Sequence, residues 1–255
     1  MRQKRLKSAL VTGAARRIGR IIAEDLVAHD FAVAIHANHS LEMAEQLAAE
    51  LRDKGGTAVA IKADLTDTGE TATLLGQAAA AIGPIGLLVN NASIFRNDTV
   101  LHFDSAIWEE HFALHVRAPS MLAAAFAEQL PADATGLVVN IIDQRVWSLN
   151  PRFYSYTLSK SALWTATQTM AQALAPHIRV NGIGPGPSMP SSRQSVEDFQ
   201  AQIDAVLLKI GPQPEEFGRT IRFLFDTPSI TGQMIALDGG QHLRWQTPDV
   251  LEIKE

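Results

Sequence analysis

Residues 8–22 read Ser8-Ala9-Leu10-Val11-Thr12-Gly13-Ala14-Ala15-Arg16-Arg17-Ile18-Gly19-Arg20-Ile21-Ile22. Ser8–Thr12 is a short, mostly apolar run closed by Gly13, as a buried strand should be. Past the turn, Ile18, Ile21, Ile22 and Leu26 recur on one face of a helix over Ile18–His29. Strand, glycine turn and amphipathic helix together are the opening of a βα unit.

Working outward, the alternation repeats. Strands are expected at Phe31–His36, Thr57–Lys62, Gly86–Asn90, Gly136–Ile142, Ile178–Gly182 and near Met234–Leu237. Helices are expected at Leu41–Lys54 with Ser40 as N-cap, Asp67–Ile82, Ser105–Gln129, Phe153–Ala175 and near Pro214–Phe225. The strands are apolar throughout, which suits a sheet covered on both sides. The expected fold is α/β: one doubly wound Rossmann-type parallel sheet with helices on both faces. No linker, repeat or low-complexity segment divides residues 1–255, so one domain is expected. A Pro/Gly/Ser-rich stretch opens a substrate-loop segment at about 187–213, and a tail covers about 241–255.

Composition narrows the function. The chain has 255 residues, 22 Lys and Arg against 27 Asp and Glu, and a net charge of −5. Nucleic-acid binders usually present a strongly basic face, so no nucleic acid is expected as partner. There is no cysteine. That excludes disulfides, iron–sulfur clusters and thiolate zinc sites, and no metal site is expected. No apolar stretch is long enough to span a membrane, and the basic Met1–Lys7 lacks the apolar region of a signal peptide. A cytoplasmic protein is expected.

In a doubly wound sheet, ligands bind beyond the carboxyl ends of the strands. Gly13 permits a tight turn there, and Gly19 lets the helix start pack close. The free N–H groups of that helix, around Ile18, attract phosphate. The second strand ends in His36-Ala37-Asn38-His39-Ser40. An NAD site usually has an acid at this point to hold the ribose diol, and this chain has none. Arg16 and Arg17 instead offer charge and geometry suited to a further phosphate. The expected cofactor is therefore NADP(H). His36, Asn38 and His39 also read as ordinary solvated loop residues.

Tyr156 and Lys160 lie four apart on an expected helix and so share a face. A nearby ammonium lowers a tyrosine pKa, which would make Tyr156 a usable proton donor near neutral pH. Around this pair, Thr12-Gly13 to Gly19, Asp64-Leu65, Asn90-Asn91-Ala92, Asn181 to Pro185-Gly186 and Asp238-Gly239-Gly240 occur in order. With them the chain resembles the short-chain dehydrogenase/reductase family over nearly its whole length. The resemblance implies that Asp64 and Leu65 flank the adenine and that Asn91 and Ala92 line the cofactor cleft. It implies that Lys160 bonds the nicotinamide ribose and that Pro185, Gly186 and Ser188 border the nicotinamide. It also implies a homotetramer.

The departures from the family pattern carry more. Arg17 stands where most members have Gly, Asp143 where most have a catalytic Ser, Ser93 where most have Gly, and His115 where most have Asn. The first three resemble the pteridine reductase branch, and so does Phe95. A serine hydroxyl suits a ketone, whereas a pterin C=N bond takes hydride at carbon and a proton at nitrogen. A carboxyl group buried beside the ring, with its pKa raised, can hold or deliver that proton directly or through Tyr156. Phe95 would stack on the ring, and Arg17 and Ser93 would border it. Asp143, Tyr156 and Lys160 are thus the expected catalytic residues, and a pterin or folate the expected substrate. Plainer readings stand beside these. Asp143 is also a strand-end turn residue, Phe95 a loop-core aromatic, Ser93 a backbone cap, and His115 a packed, satisfied histidine. Arg244 and Trp245 either reach a neighbouring subunit or belong to a surface tail. At the level of the whole protein, a ketone reductase of 3-oxoacyl or sugar type and a non-catalytic dinucleotide-binding protein are the alternatives.

Overall fold

The structure, a computed structural model, describes residues 4–190 and 195–247. Its strands are β1 (Lys4–Arg5), β2 (Ser8–Val11), β3 (Ala32–Ala37), β4 (Ala58–Lys62), β5 (Leu87–Asn90), β6 (Ala134–Ile141), β7 (Ile178–Pro185) and β8 (Met234–Leu237). They form one parallel sheet in the order β4-β3-β2-β5-β6-β7-β8, with β1 adding to the edge of β6. Val11 lies opposite Ile35 on one side and Val89 on the other. The chain therefore winds outward from β2 in both directions, and the switch lies between β2 and β5. That is where an open α/β sheet leaves a crevice at its carboxyl end.

The alternation of side chains along β2 separates two cores. Ala9 and Val11 point into a layer with α1 (Arg17–Ala28), α2 (Leu41–Asp53) and α8 (Pro214–Asp226). Leu10 points into the opposite layer with α3 (Thr68–Ile82), α5 (Ala118–Gln129) and α6 (Tyr154–Leu174). On α1 the buried stripe is Gly19, Ile22, Ala23 and Leu26, the helical spacing legible in the sequence. Each fully buried Leu or Ile in these layers contributes about 1.5–3 kcal/mol of transfer free energy. Asp67 caps α3 by accepting from Glu70 N–H at 2.9 Å.

Four details differ from the sequence reading. The helix expected over Ser105–Gln129 is three pieces: α4 (Ser105–Phe112), a π-helical turn at Ala113–Arg117, and α5. The turn sets His115 between the segment that follows β5 and helix α6, and π-turns are frequent at functional sites. Ser40 precedes α2, but its hydroxyl makes no cap hydrogen bond. Strand β7 runs on to Pro185, which carries the Gly184–Gly186 bend to the crevice. A further helix, α7 (Val196–Asp204), buries none of its residues and so left no core periodicity to read. Residues 191–194 of the expected substrate segment and 248–255 of the expected tail lie outside the described residues.

Candidate active site

At the carboxyl ends of β2, β3, β5, β6 and β7 lies one cleft of about 1550 Å³. Every residue expected to touch cofactor or substrate lines it, from Gly13 and Arg16 at one end to Phe95, Asp143 and Ser188 at the other.

The β2–α1 loop fits a dinucleotide. Gly13 has φ +61°, and a Cβ there would sit 2.9 Å from Ala92 Cα. A Cβ on Gly19 would sit 2.4 Å from the Gly13 carbonyl oxygen, so no larger residue fits that close approach. Thr12 and Asn91 brace the loop from β5. Thr12 Oγ1 accepts from the N–H groups of Asn91 and Ala92, both at 2.9 Å, and Asn91 Nδ2 donates to Thr12 O at 2.8 Å. The first turn of α1 holds no acid, and Arg16 and Arg17 are exposed beside it. Positive charge and unused N–H groups therefore meet where phosphates would lie. Asp64 is held below the usual carboxylate range chiefly by the Thr66 hydroxyl, with burial opposing.

Two residues act differently from expectation. His36 lies under the loop, not on it. Its Nδ1 accepts from Gly13 N–H at 3.0 Å, which leaves Nε2 protonated to donate to Ala63 O at 3.0 Å. The ring is 2% exposed, and burial holds its pKa down. It is a support for the phosphate turn. Arg17, at φ +54°, sends its guanidinium to Pro190 O at 2.8 Å and Met189 O at 3.2 Å. It thus ties the phosphate loop to the start of the substrate segment.

At the other end, Tyr156 Oη donates to Asp143 Oδ2 at 2.8 Å. Asp143 Oδ1 accepts from Arg145 N–H at 2.8 Å, which holds the carboxylate at the end of β6. Burial raises the Asp143 pKa, against the Arg145 N–H and charge that lower it. The expected effect of Lys160 on Tyr156 does not hold. Burial first, and then the Asp143 charge, push the tyrosine well above its ordinary value. The phenol is therefore kept as a proton carrier by its neighbour, and the two groups share protons as a coupled pair. Lys160 is 2% exposed and donates to Ile141 O at 2.8 Å. Burial pulls it down to about 8, with the Asp143 charge opposing.

The π-turn resolves His115. Ile94 N–H donates to His115 Nε2 at 3.3 Å, so Nδ1 carries the proton and donates to Ser159 Oγ at 2.8 Å. Ser93 Oγ also lies 3.0 Å from Nε2. His111 repeats the arrangement one turn earlier, between Arg96 N–H at 3.4 Å and Ser155 Oγ at 2.7 Å. Asp98 adds a third tie, accepting from Ser155 N–H at 3.1 Å. Segment 93–98 is thus stapled along the start of α6. The plain reading of His115, a packed and satisfied ring, is the one the structure shows. Burial first, then Lys160 and His111, keep it neutral.

The stapled segment places Phe95 against Phe153, stacked at 4.0 Å, and edge-on to Tyr156 at 4.6 Å. Sequence reasoning missed Phe153, Arg145, Arg152, Arg96, Glu110 and Phe199, all of which line the cleft. The position of Arg145 two residues after Asp143 was the available signal. Arg244 donates to Leu149 O of its own chain at 3.1 Å. Trp245 is exposed. Among the described residues, no cluster of metal-ligating side chains occurs and no helix is long and apolar enough to cross a membrane.

The short chain dehydrogenase family model matches residues 7–201. The chain is 57% identical to the FolM alternative dihydrofolate reductase 1 of Brucella canis, solved with NADP, covering 95% of this chain and 96% of that one at a TM-score of 0.93. It is 58% identical to the corresponding Brucella suis protein, also solved with NADP, covering 95% and 98% at a TM-score of 0.93. The 3-oxoacyl-[acyl-carrier-protein] reductase FabG of Staphylococcus aureus is 28% identical, over 94% of this chain and 100% of that protein. With the sheet order, the glycine cradle and the Tyr156–Lys160 pair already in place, the chain belongs to the short chain dehydrogenase family.

Proposed function

We propose that this protein is an NADPH-dependent oxidoreductase that reduces a C=N bond of a pterin such as a dihydropteridine, dihydromonapterin or dihydrofolate. The observation that carries the reading is the 2.8 Å hydrogen bond from Tyr156 to Asp143, in the position where the family places a serine. The identity to alternative dihydrofolate reductases, twice that to a 3-oxoacyl reductase, supports it.

The bound cofactor supplies hydride to the ring carbon of the C=N bond. The protein does the rest. Gly13, Ile18 and Gly19 admit the pyrophosphate, and Arg16 with Asn38, His39 and Ser40 receives the ribose phosphate. Asp64 and Leu65 border the adenine. Asn91, Ala92, Pro185, Gly186 and Ser188 wall the nicotinamide end. Lys160 holds the nicotinamide ribose. Phe95 stacks on the pterin, with Ser93 and Arg17 at its edge. The ring nitrogen takes its proton from the Tyr156–Asp143 pair. Asp143, whose side chain keeps 18% of its surface, recovers a proton from water.

The whole chain acts as one domain, with about 187–213 as its substrate-loop segment. A cytoplasmic homotetramer completes the reading. The absence of cysteine and exposed apolar side chains such as Phe223 and Leu208 support it. The test is initial rates of NADPH and NADH oxidation with dihydrobiopterin, dihydromonapterin, dihydrofolate and a 3-oxoacyl thioester. Pterin turnover with NADPH preferred supports the proposal. Turnover of the thioester alone would replace it with ketone reduction.

A further inference from the structure

Ser93 and His115, two positions at which this chain departs from the family pattern, meet beside Tyr156. Ser93 Oγ lies 3.0 Å from His115 Nε2. The His115 ring stands edge-on to the Tyr156 ring at 5.4 Å and 89°. The Ser93 hydroxyl also faces the phenol, where its hydrogen bond opposes the causes that raise the Tyr156 pKa. One hydroxyl thus lies between an imidazole and the oxygen that gives up the proton.

The direction of the serine proton follows from the groups around it. Ser159 Oγ donates to Tyr156 O at 2.8 Å, so its oxygen accepts from His115 Nδ1–H at 2.8 Å. The imidazole proton is therefore on Nδ1, and Nε2 is an acceptor. Ile94 N–H, which can only donate, meets Nε2 at 3.3 Å and requires the same form. His115 is 1% exposed, and burial, then Lys160 and His111, keep it neutral. The phenol's own proton goes to Asp143. A neutral imidazole nitrogen is a stronger acceptor than a neutral phenol oxygen, so Ser93 gives its proton to Nε2 and shares that lone pair with Ile94 N–H. The other acceptor within reach, Ile94 O, is farther from Ser93 Oγ, at 3.3 Å.

We propose that Ser93 and His115 form a hydroxyl switch for the proton-transfer step. With Tyr156 protonated, Ser93 donates to His115. Once Tyr156 has given its proton to the ring nitrogen, the Ser93 hydroxyl rotates and donates to the phenolate, until Asp143 returns a proton. The rotation transfers no proton, so Ser93 and His115 each keep their own throughout. Ser93 is then a catalytic residue, and His115 is a positioning residue that acts through it. The switch rests on the reading of Tyr156 as proton donor in the proposed function. Its gain is the difference between a charge-assisted hydrogen bond and a neutral one, about tenfold in kcat.

The test is reduction of 7,8-dihydrofolate and 7,8-dihydromonapterin under saturating NADPH. It uses the full chain, Ser93→Ala, His115→Asn, His115→Gln, and the double variant of Ser93→Ala with His115→Asn. An asparagine amide reaches the place of Nδ1 and still meets Ser159, whereas a glutamine amide reaches the place of Nε2 and meets Ser93. The kcat should fall about tenfold in Ser93→Ala and in His115→Asn, and the double variant should be no slower than Ser93→Ala. His115→Gln should restore most of the loss. Losses that add in the double variant, or a glutamine no better than asparagine, would make His115 a packing residue of segment 93–98 and overturn the switch. Nitrogen NMR of the histidine rings gives a readout that needs no substrate. His115 should carry its proton on Nδ1, and its Nε2 signal should move in Ser93→Ala. A proton on Nε2, or a signal indifferent to Ser93, overturns the switch whatever compound is reduced. Absence of turnover with both pterins would instead fail the pterin reading, and the nitrogen signals would still decide whether Ser93 donates to His115.

Discussion

Replacing Asp143 with Asn keeps the volume of the side chain and removes its charge and its titratable proton. In the native site the carboxylate accepts from Tyr156 Oη and from Arg145 N–H, each at 2.8 Å. Asparagine has one acceptor oxygen for these two donors, so one bond is lost or its amide faces the phenol. A hydrogen bond to a charged group contributes about 1.5–3 kcal/mol. Lost in the transition state, that is roughly a ten- to hundredfold fall in kcat. The pH profile gives a second readout. Burial raises the Asp143 pKa, so the Tyr156–Asp143 pair still holds its extra proton above the usual carboxylate range. As pH rises through that value, the proton is lost and native kcat should fall. Asp143→Asn should lose this limb. The assay is steady-state NADPH oxidation with dihydrofolate across the pH range, with Tyr156→Phe as companion. If Asp143→Asn keeps native kcat and the native profile, Asp143 is only a strand-end turn residue.

Gly19→Ala places a methyl group 2.4 Å from Gly13 O and 2.6 Å from Asn91 Nδ2. The strain, about 1–3 kcal/mol, should weaken NADPH binding measured by calorimetry by tenfold or so; native affinity would mean the loop moves freely. Ala37→Asp adds an acid at the end of β3, and should weaken NADPH more than NADH; equal losses would separate this loop from cofactor choice. His111 and His115 have pKa values below that of a free histidine. The unfolded chain then takes up protons that the folded chain refuses, so stability is lost as pH falls below roughly 6.5. His115→Asn should show a shallower fall in Tm between about pH 7 and pH 5; parallel slopes would show that His115 is not held neutral.

The fold was legible where the signal is local. Ser8–Gly19 reads as strand, turn and helix because hydrophobic period and glycine placement lie within a few residues of one another. The π-turn at 113–117 was hidden because an apolar pattern of helical period runs straight through it. Helix α7 was hidden for the opposite reason, since it buries nothing. Cleft residues were legible when they sat at strand ends, as Asp143 does. Phe153 meets the cleft through its stack on Phe95, a contact between segments far apart in the chain, and Arg145 through the turn that follows Asp143. His36 was placed in the right loop, but its direction depends on Gly13 N–H and Ala63 O, which no sequence pattern reveals.

Hydride transfer to the pterin carbon can be followed directly. NADPH carrying deuterium at the transferring position of nicotinamide C4 is turned over with 7,8-dihydrofolate, and the product is examined by NMR. Deuterium bonded to C6 of tetrahydrofolate is the predicted result, with N5 carrying a proton from solvent. Oxidation of the labelled cofactor without label at C6, or no reaction with any dihydropterin, would contradict the assignment of this cleft to pterin reduction.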